Sequence, residues 1–401
     1  MFMKKFLSIM LLILMAASVF AADQIINDAE PSLFDYVIWR GDLTFDQIPF
    51  NELDSAILAM FSYLNFDDLD ISQPGKSLTL HEAANRFFGA EARYDLPDNF
   101  IIIWQHCLYM LELAAKTERF GSIEMHDYTN YIDTKTQTQF SALTYSLGKN
   151  RHYIAFRGTD NTIVGWKEDL NLAVKQEVPA QKKAAAYVAS IAAKCSGKLI
   201  IGGHSKGGNL ALYSAIKSDK ATRDRIESVW NFDGPGFLDS DITKSMHTIF
   251  GSRVHTFVPE TSVVGMMLNR TENYIPIANL DKKSNFFDQH NLFSWKIEAC
   301  RFVPVGQVSS TSNVVHATTQ SLLQNFTVDQ TTQFINVIFD AADKAGLRTV
   351  NDLSSQPLKF ASSLANCYSS SDKETQKLCK FIVSSMLSSA SAANKSQKQK
   401  K

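Results

Sequence analysis

Residues 198–217 read Lys-Leu-Ile-Ile-Gly-Gly-His-Ser-Lys-Gly-Gly-Asn-Leu-Ala-Leu-Tyr-Ser-Ala-Ile-Lys. The apolar run Leu199, Ile200 and Ile201 predicts a buried parallel strand. It leads into Gly203-His204-Ser205-Lys206-Gly207, a G-x-S-x-G pentapeptide. Leu210, Ala211, Tyr213 and Ala215 then recur at helical spacing. Strand, tight turn and helix are the setting of a nucleophile elbow, in which the turn strains the serine backbone and lifts its hydroxyl above the sheet edge. Glycines two before and two after the serine remove side chains that would collide where strand and helix nearly touch. Ser205 also lies at the positive end of the helix. The competing reading is a glycine-rich structural turn.

Outward from this stretch, short strand patterns alternate with helical ones. Upstream lie 123–132, 139–146, a turn at Gly148-Lys149-Asn150 and a strand at 153–156, followed by an alanine-rich helix over 179–194. Downstream lie strands at 228–232 and 253–258, then loop and short elements to 300 with a last strand candidate at 293–297. Polar or glycine turns close each strand, which predicts an α/β fold: a mostly parallel, doubly wound sheet with helices on both faces. Before it, residues 22–50 read as a polar-aromatic segment. Asn51 is placed to cap a helix over 52–64, another helix falls near 81–89, and Asp98 opens one over 100–116. From about 307 the composition turns to Ser, Thr and Gln, with helices expected over 328–345, 356–368 and 372–388.

The chain has 401 residues, 45% hydrophobic content and a formal net charge of −1. That suits one large α/β domain with an appendage and gives no electrostatic case for nucleic acid. The expected organisation is a signal peptide over 1–21, an α/β domain over 22–305, a C-terminal helical region over 306–388 and a disordered basic tail over 389–401. Lys4 and Lys5 precede an apolar run to Phe20 and a small-residue cleavage site after Ala21, so export to the periplasm or beyond is expected; an uncleaved anchor is the other reading. The five cysteines contain no C-x-x-C pair, and neither a metal nor a cofactor is expected. Cys367 and Cys379 suit either a bridge or scattered buried thiols.

Several stretches carry a resemblance: Asp35-Tyr36-Val37-x-Trp39-Arg40-Gly41-Asp42, Pro49-Phe50-Asn51-Glu52-Leu53-Asp54, Phe156-Arg157-Gly158-Thr159-Asp160, Gly165-Trp166-Lys167-Glu168-Asp169, Gly203-His204-Ser205-Lys206-Gly207-Gly208-Asn209, Asp233-Gly234-Pro235-Gly236-Phe237 and Gln289-His290-x-x-x-Ser294-Trp295. Together they resemble the Mbeg-like family of bacterial proteins over roughly residues 32–305. That family, long a domain of unknown function, looks like a set of α/β-hydrolases. The Phe-Arg-Gly-Thr and Gly-His-Ser-x-Gly-Gly pair is also similar to class 3 lipases. The leader is a departure, since the family is expected to be mostly cytosolic.

A serine hydrolase needs a base for the hydroxyl proton, an acid to orient the base, and donors for the oxyanion. In the α/β-hydrolase chain order the histidine follows the serine and the acid. His247, His255, His290 and His316 qualify by position. His290, in a loop before the last strand candidate, is the expected base, and the resemblance points to it as well. Two strand ends offer an acid, Asp233 and Glu260; Asp233 is favoured because the family motif includes it, with turn formation as its plain alternative. The backbone N–H of Lys206 and, by resemblance, that of Thr159 form the expected oxyanion hole. Arg157, Trp166 and Asp169 resemble the residues that brace the Thr159 loop, and an Arg157–Asp169 ion pair is the structural alternative. The Lys206 side chain is read as solvent-facing or as favouring an anionic substrate. Aromatic and Met-rich stretches (Phe87-Phe88, Met266-Met267-Leu268, Phe286-Phe287) suit an acyl pocket or lid, or plain core.

The expected function is therefore a serine hydrolase of carboxylic esters, lipid-like by resemblance: a lipase, esterase or phospholipase working through a Ser-His-Asp triad and an acyl-enzyme. Its partners would be a small-molecule or lipid ester and a membrane surface. The alternative is a catalytically inactive hydrolase-fold protein with a binding or envelope role.

Overall fold

The computed structural model describes residues 30–89, 102–238, 240–270, 273–281, 286–382 and 384. The expected signal peptide, the 389–401 tail and the Asp98 cap lie outside these residues.

The chain opens with α1 (Leu33–Arg40) and α2 (Glu52–Phe61), then β1 (Ser77–Thr79), α3 (Leu80–Gly89) and α4 (Ile102–Ala114). Strands β2 (Glu124–Asp133), β3 (Thr138–Ser146) and β4 (Arg151–Phe156) follow, then α5 (Ile163–Asn171), α6 (Pro179–Lys194), β5 (Lys198–His204), α7 (Lys206–Lys217), α8 (Lys220–Arg225) and β6 (Ile226–Phe232). After α9 (Ser240–Phe250) come β7 (Val254–Pro259), β8 (Tyr274–Ile277), α10 (Phe286–His290) and a small hairpin of β9 (Ile297–Glu298) and β10 (Arg301–Phe302). The C-terminal helices are α11 (Ser310–Asn325), α12 (Val328–Lys344), α13 (Val350–Ser355) and α14 (Pro357–Ser370), and residues 373–382, the described part of the helix expected over 372–388, are helical as well.

Strands β1 to β8 form one sheet in chain order. The first four pair antiparallel, and β4 to β8 pair parallel throughout. The β3–β4 turn holds Gly148, Lys149 and Asn150 all at positive φ, the backbone a tight hairpin demands. Strands added in order through right-handed crossovers keep their connecting helices on one face. Accordingly α6, α7 and α9 pack with Ile154, Ile201 and Val229. The opposite face, carrying Tyr153, Ile200 and Phe232, is covered by α1, α2 and α4. Helices thus lie on both faces as expected, but the helices of one layer come from the N-terminal third, with Leu292, Phe293, Trp295 and Phe302 packed into the same cluster.

That layer is pinned by charge. Asn51 caps α2 as predicted, accepting from the Leu53 and Asp54 N–H groups. Asp54 and Arg119 form a fully buried two-bond pair at 2.6 and 2.7 Å, and the Tyr36 hydroxyl donates to the same carboxylate at 2.9 Å. Such a pair costs desolvation, so it fixes geometry more than it adds stability.

Three local expectations change. The polar-aromatic opening contains α1, whose Ser32 and Asp35 form a capping box. The stretch from 261, read as loop, supplies β8, while 293–297 is a tight turn running into the two-residue β9. The Ser/Thr/Gln-rich region forms α11, whose weak apolar stripe hides it from periodicity. The C-terminal helices α12 to α14 build an apolar cluster against Ile163, Trp166 and Leu170 of α5. Cys367 and Cys379 are free buried thiols, which answers the question of a bridge.

Candidate active site

β5 ends in the predicted turn. Ser205 has φ 58° and ψ −134°, a conformation an L-residue adopts only under constraint. The constraint is packing. A Cβ at Gly203 would sit 2.4 Å from the Gly207 backbone, and one at Gly207 would sit 2.1 Å from the Phe156 carbonyl. Only glycine lets β4, β5 and α7 approach this closely. The Ser205 N–H is tied to the Phe232 carbonyl at 2.9 Å, so β6 holds the elbow.

β6 ends one residue before Asp233, itself at φ 50° and fully buried. Its Oδ2 accepts from His290 Nδ1 at 2.6 Å, and its Oδ1 accepts from the Ser262 hydroxyl at 2.5 Å and the Gly265 N–H at 3.1 Å. Three donors converge on one carboxylate and fix its plane. The bond at Nδ1 assigns the His290 tautomer and leaves Nε2 as the acceptor. Glu260 is placed differently. Its carbonyl takes the Ser309 N–H at 2.7 Å and its N–H reaches the Ile277 carbonyl at 2.8 Å, while the histidine's carboxylate partner is Asp233.

His290 is brought to Ser205 through His204. The two imidazole centroids are 4.4 Å apart, and His204 Nε2 donates to the His290 carbonyl at 2.7 Å. His204 Nδ1 accepts from the Tyr63 hydroxyl at 2.8 Å. Burial, helped by the neighbouring His290, holds His204 well below the usual imidazole range, so it is a neutral bridge. Tyr63 also receives the Gly158 backbone, which links His204 to the loop after β4. Sequence reading missed Tyr63, Ser262 and the role of His204. His204 stands inside the pentapeptide, so it alone carried a local signal. The direct Ser205–His290 hydrogen bond is not formed among the described residues; such bonds are often long before substrate binds.

The loop after β4 lies against Ser205: a Cβ at Gly158 would be 2.9 Å from Ser205 Cβ. Thr159 donates its hydroxyl to Asp169 Oδ2. Burial pushes the Asp169 carboxyl up to about 6, against the opposing pull of Lys206 and Thr159. The N–H of Lys206 opens α7, where backbone donors have no partner within the helix.

The bracing residues divide unexpectedly. Arg157 pairs with Asp160 at 3.4 Å and donates to Asn130 at 3.0 Å, so the Arg157–Asp169 pair is not formed. The cation beside Asp169 is Lys206. Its Nζ is buried, 3.0 Å from Glu168 Oε2, 3.7 Å from Asp169 Oδ1 and 3.0 Å from the Gln139 carbonyl. The Lys206 side chain therefore faces neither solvent nor substrate. Trp166 turns away, into the apolar cluster with the C-terminal helices. Phe87, Met266 and Leu268 are core, and the side chains of Phe286 and Phe287 lie outside the described residues.

A mostly parallel sheet, a strained serine at the tip of β5, an aspartate at the tip of β6 and a histidine bonded to it from the end of α10 make this an α/β-hydrolase-type protein. The Mbeg1-like family model matches residues 114–340, more than half of the chain, and the protein belongs to that family. No curated protein shows a sequence match. Among solved structures, an M37 lipase is similar with a TM-score of 0.35 and 14% identity, over 54% of this chain and 68% of the lipase chain.

Proposed function

We propose that the protein is a serine hydrolase of carboxylic esters. Ser205 attacks the carbonyl, His290 Nε2 takes its proton and returns it to the leaving alcohol, and Asp233 holds the imidazole and stabilises its cation. The N–H groups of Thr159 and Lys206 face the oxyanion; water, giving its proton to His290, then attacks the acyl-enzyme, the bond to Ser205 Oγ breaks, Oγ takes the proton back and the carboxylic acid leaves. The observation that carries this reading is the strained Ser205, next in the chain to a histidine whose ring lies 4.4 Å from that of His290, with His290 Nδ1 held at 2.6 Å by a buried carboxylate.

A lipid-like acyl group and contact with a membrane surface rest on the class 3 lipase resemblance. Export rests on the first 21 residues; no described helix is long and apolar enough to cross a membrane. The test is a series of p-nitrophenyl esters of increasing chain length, with phospholipids alongside. Turnover by the wild type that vanishes in Ser205→Ala supports the proposal. Equal, background-level turnover in both proteins refutes it and favours the inactive, binding alternative.

A further inference from the structure

A second cluster lies at the opposite end of the sheet, where the parallel strands begin. His126 is near the start of β2, His152 near the start of β4, and Cys195 caps the C-terminus of α6 just before β5. In the ladder His126 faces Thr144, and Ser146, two residues on, faces His152. His126, Ser146 and His152 therefore project from one face of the sheet. It is the face covered by α6, whose last turn brings Cys195 above them. Among the described residues this is the group of three ligating side chains whose donor atoms all lie within 4.8 Å of one another.

We propose that His126, His152 and Cys195 bind a zinc-class metal ion. Zn–N bonds of about 2.0 Å and Zn–S bonds of about 2.3 Å put tetrahedral ligands roughly 3.3–3.8 Å apart. The donor atoms, within 4.8 Å of one another, would close to that spacing by side-chain rotation.

The surroundings are those of a metal site. A bulge after His126 puts Asp127 at φ 53°, which folds its carboxylate back onto His126 Nδ1 at 2.8 Å. His126 is thus held by an acceptor at Nδ1, the arrangement that orients its other nitrogen toward a metal. His126 Nε2 and His152 Nδ1 converge on one Ser146 hydroxyl at 3.1 and 3.3 Å. A hydroxyl has one hydrogen to donate, so where both of these nitrogens present lone pairs, one lacks a donor. A cation satisfies both.

Cys195 is fixed in place: its N–H bonds the Ile191 carbonyl at 2.8 Å, and Arg225 takes its carbonyl at 2.5 Å. Two imidazoles and a thiolate suit zinc and exclude magnesium and calcium, which take oxygen ligands. Water completes the fourth position, since the Asp127 carboxylate is taken by His126 Nδ1 and Lys194. The ion would clamp β2 and β4 to the α6–β5 connection. Because the ligands come from three separate segments, cysteine spacing gives no hint of them.

The test uses the full, untagged chain after chelator treatment. Zinc affinity is measured by competition with a chromophoric chelator, and cobalt is used as a spectroscopic stand-in. The expected result is about one zinc per chain, a thiolate-to-cobalt charge-transfer band, and loss of both in Cys195→Ser and His152→Gln. Asp127→Asn should weaken zinc about 10- to 100-fold, as loss of an orienting partner does. Ser205→Ala should bind zinc as the wild type does, so failure here is separate from failure of the hydrolase reading. A wild type that binds no zinc, or binds cobalt without the thiolate band, overturns the proposal even if a variant fails to fold. Unchanged binding in Cys195→Ser and His152→Gln overturns it as well.

Discussion

Lys206→Met tests the least expected feature of the site. Lys206 and Glu168 have side chains 1% and 0% exposed, with Nζ 3.0 Å from Glu168 and 3.7 Å from Asp169. At an effective dielectric of about 20 those separations correspond to roughly 5 kcal/mol of attraction each, most of it offset by desolvation. Removing the cation alone leaves two carboxylates crowded together, and breaking such a buried pair costs about 3–5 kcal/mol. Glu168 keeps backbone donors from Gln139 at 3.0 Å and Ala180 at 2.9 Å, which places the expected loss near 3 kcal/mol. Urea unfolding followed by fluorescence should show that loss, and Lys206→Met with Glu168→Gln should recover at least half of it, because the two changes share one interaction. A loss below about 1 kcal/mol is surface behaviour and would refute the reasoning. So would unchanged stability with weakened turnover of anionic esters only, which would return Lys206 to the substrate.

Three further outcomes follow from the site. Asp233→Asn should lower kcat by about 10³–10⁴, through the wrong imidazole tautomer, whereas Glu260→Gln should leave it within about threefold; steady-state ester kinetics compare them. Tyr63→Phe removes the hydroxyl that steadies neutral His204, and kcat should fall about 3- to 10-fold, the worth of one hydrogen bond, with KM little changed. Asp169 has a folded-state pKa raised from 3.8 to about 6, so the folded protein holds its proton more tightly than the unfolded chain does. Stability from this group is therefore lost as pH rises from 3.8 to about 6 and stays lost above, by up to about 3 kcal/mol. Asp169→Asn cannot ionise, so its stability relative to wild type should improve between pH 4 and pH 7.5 in paired urea titrations; a constant difference would contradict the shift.

The elbow was legible because its demands are local: Gly203 and Gly207 are dictated by backbone collision, and collision leaves a fixed spacing in the sequence. His290 and Asp233 were legible through chain order and the strand-end rule. The supporting network was not. Glu168 meets Lys206 across 38 positions and Tyr63 meets His204 across 141, and no periodicity reports which buried polar groups will satisfy each other. Lys206 was misread for that reason, since a lysine beside a nucleophile looks exposed until its partners are known. α11 was missed because its Ser- and Thr-rich sequence lacks a strong apolar face.

The most direct measurement of the central claim is covalent labelling of the folded protein by a fluorophosphonate, read by intact mass and peptide mapping. The account predicts one adduct on Ser205, absent in Ser205→Ala and formed far more slowly in His290→Ala. A folded wild type that takes no label, or an adduct on Ser205 formed at the same rate without the imidazole, would contradict it.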